Sequence, residues 1–272
     1  MIHEIYPIQV EGSLPDARLI TYIQDDSDSM AIKDRPLVLI CPGGGYAYTS
    51  DRESEPVALA FLAMGYHAAV LRYSCAPARY PTALLELASA ICMIRRKANE
   101  WHVDADRIIV QGCSAGGHLA ACLGMFWDED FLAQGLNLSA GEHELLKPNG
   151  MILCYPVITS GEFAHRGSFQ NLLGDREAEL GEWLSLENRV SAKTPPAFIW
   201  GTLEDGSVPM ENSLLLVSAM RKMHVSVEYH LFPRGGHGLA LANRLTETSD
   251  GRHVQEECSV WVELARKWLE HL

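Results

Sequence analysis

Three side chains of this sequence, Ser114, Asp205 and His237, together with a glycine-rich stretch at 41–46, have the types and settings needed to drive an activated hydroxyl against a carbonyl carbon. Ser114 lies in Gly112-Cys113-Ser114-Ala115-Gly116-Gly117, after an apolar run at 107–111 and before an apolar helical period that opens near Ala115. G-x-S-x-G between a strand and a helix is the pattern of a nucleophile elbow. The turn is so tight that its flanking positions exclude large side chains, and the serine is forced into a strained conformation that projects Oγ. The stretch Cys41-Pro42-Gly43-Gly44-Gly45-Tyr46 removes side chains from a second short loop. Its backbone N–H groups can then converge on one spot and stabilise the charge of a tetrahedral intermediate. The N–H after the nucleophile, that of Ala115, would complete such a hole. A phosphate-binding loop is excluded, because neither G-x-x-x-x-G-K-[ST] nor a helix-opening G-x-G-x-x-G is present.

A serine nucleophile needs a base that titrates near neutrality and an acid that fixes the base's tautomer. Of the 11 histidines, His237 alone sits in a glycine-flanked loop, Gly235-Gly236-His237-Gly238, directly beyond a strand. His118 is expected to pack under the elbow, His230 to lie within a strand, and His102, His143 and His165 to be surface residues. The acid is expected in Gly201-Thr202-Leu203-Glu204-Asp205-Gly206. Either acid there could serve; Asp205 is favoured over Glu204 because its shorter side chain is easier to fix.

These loops need a scaffold. Apolar runs at 18–23, 37–41, 67–73, 107–111, 150–155, 197–200 and 225–232 read as strands. The middle ones are near-continuous in Val, Ile, Leu and Ala, as in parallel strands buried on both faces. Helical periods fall between them at 54–64, 84–94, 115–125, 211–223 and 254–269. Such alternation predicts an α/β protein with a mostly parallel central sheet flanked by helices. It continues to the C-terminus, so residues 1–272 are expected to form one domain. Segments 127–148 and 157–195 break the alternation and read either as a small cap or substrate-binding insertion, the second especially, or as irregular connections packed on the surface.

The 272 residues carry 22 Lys+Arg against 35 Asp+Glu, a net charge of −13, which argues against nucleic acid or anionic lipid as partners. No apolar stretch approaches the ~18 residues of a membrane helix, and no secretion signal opens the chain. Seven scattered cysteines without metal-ligand spacing read as reduced, buried thiols of a cytoplasmic protein with no metal and no cofactor.

The order Ser114, Asp205, His237 and the loops around them resemble the α/β-hydrolase superfamily over most of the chain. Tyr73-Ser74-Cys75-Ala76-Pro77 with Pro81 is similar to a segment of hormone-sensitive-lipase-like esterases. Pro42-Gly43-Gly44-Gly45-Tyr46, Ser50-Asp51-Arg52-Glu53 and the Trp200–His237 segment resemble bacterial acetyl esterases, acetylxylan esterases and "sugar hydrolase" proteins, and Asp205-x-x-Val208-Pro209 resembles their acid loop. The resemblance implies removal of small acyl groups from a sugar or similar alcohol, without a cofactor. It places the oxyanion role on Gly44, Gly45 and Ala115, sets Tyr46 beside the substrate pocket, and adds Tyr73 as a second substrate-binding candidate.

Two other readings use the same residues. A small-amide hydrolase of the formamidase type or a serine peptidase would keep the triad. The peptidase is disfavoured because only about 35 residues precede the strand before the glycine loop, too few for the extra domain such enzymes carry. A non-catalytic binding protein of this fold generally loses the nucleophile or the base, and both are present here.

Overall fold

In a computed structural model that describes residues 1–139 and 141–272, the chain builds an eight-stranded sheet. Its strands are β1 (Ile5–Pro7), β2 (Arg18–Tyr22), β3 (Arg35–Cys41), β4 (His67–Arg72), β5 (Val103–Cys113), β6 (Gly150–Cys154), β7 (Ala197–Thr202) and β8 (Val227–Phe232). Their order across the sheet is β1-β2-β4-β3-β5-β6-β7-β8. β1 and β2 pair antiparallel, as do β2 and β4, and every other pairing is parallel. Seven of these strands coincide with the apolar runs within a few residues. β1 has no such run, because its three residues are mostly exposed and carry no alternation.

The central strands are apolar throughout because both faces are covered. Leu37 and Leu39 of β3 and Ile108 and Val110 of β5 enter one buried cluster. The alternating residues Val38, Ile40 and Ile109 enter the cluster on the opposite face. The helices that cover them are Glu55–Ala63, Thr82–Arg96, Ala115–Phe126, Glu211–Lys222 and Trp261–Leu269. The helix Ala115–Phe126 is buried along its whole length, which explains why it lacks an amphipathic pattern.

The irregular segments differ in what they do. Within 127–148, where Ala140 lies outside the described residues, the chain docks onto the Thr82–Arg96 helix. Arg95 donates to the carbonyls of Leu145 (2.6 Å) and Lys147 (2.8 Å), so this stretch is a pinned connection and not a cap. The 157–195 insertion holds a helix at Arg166–Leu173 and short turns after it, and it reaches the sheet edge where the functional loops gather.

Two buried histidines make the fold acid-sensitive. Burial holds the imidazoles of His67 and His118 down to about 4. An unfolded histidine titrates near 6.5, so between those values the unfolded chain binds protons that the folded chain refuses. Their contribution is fully present above pH 6.5 and is lost as the pH falls toward 4. Thermal midpoints measured across that window should fall, and His67→Asn, less stable at pH 7, should show the shallower fall.

Candidate active site

The glycine loop, Ser114, Asp205 and His237 follow the C-terminal ends of β3, β5, β7 and β8, so one edge of the sheet gathers all four. At the elbow Ser114 takes φ 54° and ψ −118°, the positive φ that the tight strand-to-helix turn demands of a non-glycine residue. Its carbonyl accepts from His118 N–H (3.0 Å) and Val157 N–H (3.1 Å), and its own N–H donates to Cys154 O (2.9 Å). A side chain at Gly116 would run into the Cys41 and Pro42 carbonyls, so glycine there permits the close packing of helix on loop.

Ser114 Oγ lies 2.7 Å from His237 Nε2, and His237 Nδ1 lies 2.6 Å from Asp205 Oδ2. The Asp205 carboxylate only accepts, so Nδ1 carries the proton and Nε2 accepts from the serine hydroxyl. Asp205 is buried to 2% side-chain exposure while His237 keeps 21%, which leaves the imidazole open to the cleft and the carboxylate shielded. The second carboxylate oxygen accepts the backbone N–H groups of Ser207 and Val208, each at 2.9 Å. Glu204 points elsewhere: its Oε2 accepts from Gly235 N–H (3.1 Å) and braces the histidine loop. Thr202 Oγ1 donates to Gly235 O (2.6 Å) and Arg52 Nη1 to Gly238 O (2.8 Å), pinning the loop on both sides of the histidine.

In the glycine loop all three glycine carbonyls are engaged, whereas of the three glycine amides Gly43 alone is, among the described residues. Gly43 O accepts from Ser50 N–H, Gly44 O from Ala47 N–H and Gly45 O from Asn171 Nδ2. Gly44 adopts φ 128° and Gly45 φ 63°. Among the described residues the N–H groups of Gly44, Gly45 and Ala115 find no protein acceptor. Gly43 differs, since its N–H donates to Glu53 Oε2 (2.8 Å). Glu53 Oε1 accepts from the Tyr155 hydroxyl (2.8 Å), which in turn accepts Ala240 N–H (2.9 Å). A buried carboxylate thus ties the glycine loop to the histidine loop, a link that Ser50-Asp51-Arg52-Glu53 does not reveal as a motif.

The cleft above Ser114 has a volume of about 640 Å³. Gly44, Gly45, Tyr48, Arg52, His165 and His237 contribute to its walls, and among the described residues no Leu, Ile, Val, Met or Phe does. Tyr46 and Tyr73, expected to meet substrate, do not line it. Both are buried beneath the glycine loop, where Tyr46 Oη pairs with His118 Nδ1 (3.0 Å) and Tyr73 Oη donates to Pro42 O (2.6 Å). Tyr46 takes φ 58° and so turns inward at the loop's end. His118 does pack under the elbow, as expected, and its Nε2 pairs with Leu184 O (3.0 Å). His165, expected at the surface, instead faces the cleft from the 157–195 insertion.

Among the described residues no group of His, Cys, Asp and Glu could hold a metal, and no helix is long and apolar enough to cross a membrane. All seven cysteines are free and buried. Burial raises the Cys113 thiol well above its ordinary value, which makes it a poor nucleophile beside Ser114.

A family profile described as BD-FAE matches residues 27–220. A Butyrivibrio fibrisolvens protein named endo-1,4-beta-xylanase B is 35% identical over 85% of this chain and 36% of its own length. The chain spans less than two thirds of the length of the curated relatives it matches. Among solved structures, an acetyl ester-xyloside bifunctional hydrolase of Caldicellulosiruptor lactoaceticus aligns with TM-score 0.82 and 37% identity, covering 99% of this chain and 96% of that one. A carboxylesterase of Lactobacillus plantarum aligns with TM-score 0.84 and 34% identity, covering 100% and 98%.

Proposed function

This chain belongs to the BD-FAE family and has the α/β-hydrolase fold, and from that premise we propose that it is a serine carboxylic-ester hydrolase that removes small acyl groups, acetyl foremost, from acylated sugars or xylo-oligosaccharides. The observation that carries the reading is the hydrogen-bonded series Ser114–His237–Asp205 at the floor of a cleft without aliphatic walls. A long acyl chain would find no aliphatic side chain there among the described residues, whereas a hydroxylated alcohol would find polar partners. The names of the relatives, among them an acetylxylan esterase and an acetyl ester-xyloside hydrolase, support the sugar as the alcohol. The single continuous sheet supports reading residues 1–272 as one domain.

In this mechanism His237 takes the proton from Ser114 as Oγ attacks the ester carbonyl. The free N–H groups of Gly44, Gly45 and Ala115 receive the developing oxyanion. His237 then protonates the departing alcohol, and water hydrolyses the acyl-enzyme by the same route. Asp205 holds the imidazole in the required tautomer and stabilises its charged form.

The test is a substrate panel of p-nitrophenyl esters of increasing acyl length, acetylated xylose and a small formamide. Acetate is expected to exceed decanoate in kcat/KM by more than about tenfold, since no aliphatic side chain lines the cleft to bury the added methylenes, each worth about 0.8 kcal/mol when buried. A preference for decanoate would overturn the small-acyl reading, and turnover of the formamide without the esters would reassign the chemistry.

A further inference from the structure

Two cleft histidines, His165 and His253, take no part in the proposed chemistry, and of these His165 stands against the glycine loop. It caps the helix Arg166–Leu173, and its Nδ1 accepts from the Ser168 N–H (3.3 Å) and lies 2.8 Å from Ser168 Oγ. The Ser168 N–H is shared between the His165 carbonyl (3.0 Å) and Nδ1, and because a backbone N–H can only donate, this capping bond favours the tautomer that accepts at Nδ1 and carries its proton on Nε2. Among the described residues Nε2 finds no protein partner. Burial, reinforced by His237 when that ring carries a proton on both nitrogens, keeps this imidazole below its ordinary titration range, so it is a neutral donor at pH 7.

The ring is held in place relative to the reacting atoms. A methyl group built on Gly45 would lie 3.9 Å from His165 Cε1. Asn171 of the same helix donates to the Gly45 carbonyl (2.9 Å), and Phe169 is buried edge-on against His118 beneath the elbow (ring centroids 5.4 Å). The insertion helix and the glycine loop therefore form one continuous wall.

We propose that His165 is a substrate-binding residue whose Nε2–H donates a hydrogen bond to an oxygen of the alcohol half of the ester, selecting a hydroxylated alcohol over one without hydroxyls. The inference rests on the ester reading above. A small acyl group has one carbonyl oxygen, already assigned to the Gly44, Gly45 and Ala115 amides, so the remaining acceptors belong to the alcohol. A neutral donor suits a hydroxyl or ring oxygen better than it suits a carboxylate. Exposed Tyr48, also in the cleft wall, offers an aromatic face to the apolar side of a sugar ring.

The experiment compares kcat/KM on an acetylated xyloside with kcat/KM on p-nitrophenyl acetate for wild type, His165→Ala, His165→Gln and His165→Asn. His165→Ala should lower the xyloside-to-aryl ratio about tenfold, the size expected for one lost hydrogen bond at a binding site. His165→Gln, which keeps a donor of similar reach, should recover much of the ratio. His165→Asn should restore the helix cap and the thermal midpoint without restoring the ratio. Parallel losses on both substrates, an unchanged ratio, or full recovery by Asn would make His165 a cap alone and overturn the proposal. Wild-type protein inactive on both esters would instead overturn the ester reading, and this proposal with it.

Discussion

Ser114→Ala is expected to abolish hydrolysis of p-nitrophenyl acetate, a loss on the order of 10⁴-fold or more in kcat. The effect follows from the chemistry: without Oγ no acyl-enzyme forms, and His237 and the free amides are left to assist only direct attack by water. The thermal midpoint should stay nearly unchanged or rise slightly. Among the described residues the Ser114 hydroxyl bonds to His237 alone, whereas the backbone bonds to Cys154, Val157 and His118 survive the substitution. Alanine also still occupies the positive-φ position, so the strain neither grows nor disappears. Steady-state kinetics with purified variant, paired with a melting curve, checks both halves. Turnover within tenfold of wild type would remove Ser114 from the mechanism.

Asp205→Asn should cost about 10⁴-fold in kcat, while Glu204→Gln should cost far less, within about tenfold. Asn can still accept from the Ser207 and Val208 amides through its oxygen. It then turns its NH₂ toward His237 Nδ1 and forces the proton onto Nε2, where it can no longer take one from Ser114. Glu204→Gln keeps an acceptor for the Gly235 N–H, so the histidine loop stays braced. The reverse ranking would reassign the acid.

The framework of this chain is written locally. Strands β3 to β7 announce themselves as apolar runs because they are covered on both sides, whereas the edge strand β8 is only half-buried, and the elbow and glycine loop announce themselves because close approach of backbone to backbone excludes side chains. Other features carry no such mark. His165 sits among polar residues, as a surface histidine would, and only the folding of the 157–195 insertion turns it to the cleft. Tyr46 adjoins the glycine loop in sequence, yet it points away from the cleft into the core. Glu53 reads as an ordinary acid before the Glu55–Ala63 helix, though it joins two loops through Tyr155. β1 is too short and too exposed to show a period.

The alternation of strand and helix, the elbow around Ser114 and the loop settings of Ser114, Asp205 and His237 are legible from residue types, because each depends on sterics or polarity within a few neighbouring residues. It takes the folded chain to show that Asp205 faces the imidazole while Glu204 braces its loop, that His165 borders the cleft, and that Tyr46 and Tyr73 lie beneath it. These are pairings across distance, His237 with Asp205 over 32 residues and with Ser114 over 123, set by sheet register and by the direction in which each loop leaves its strand. Local periodicity holds no information about either.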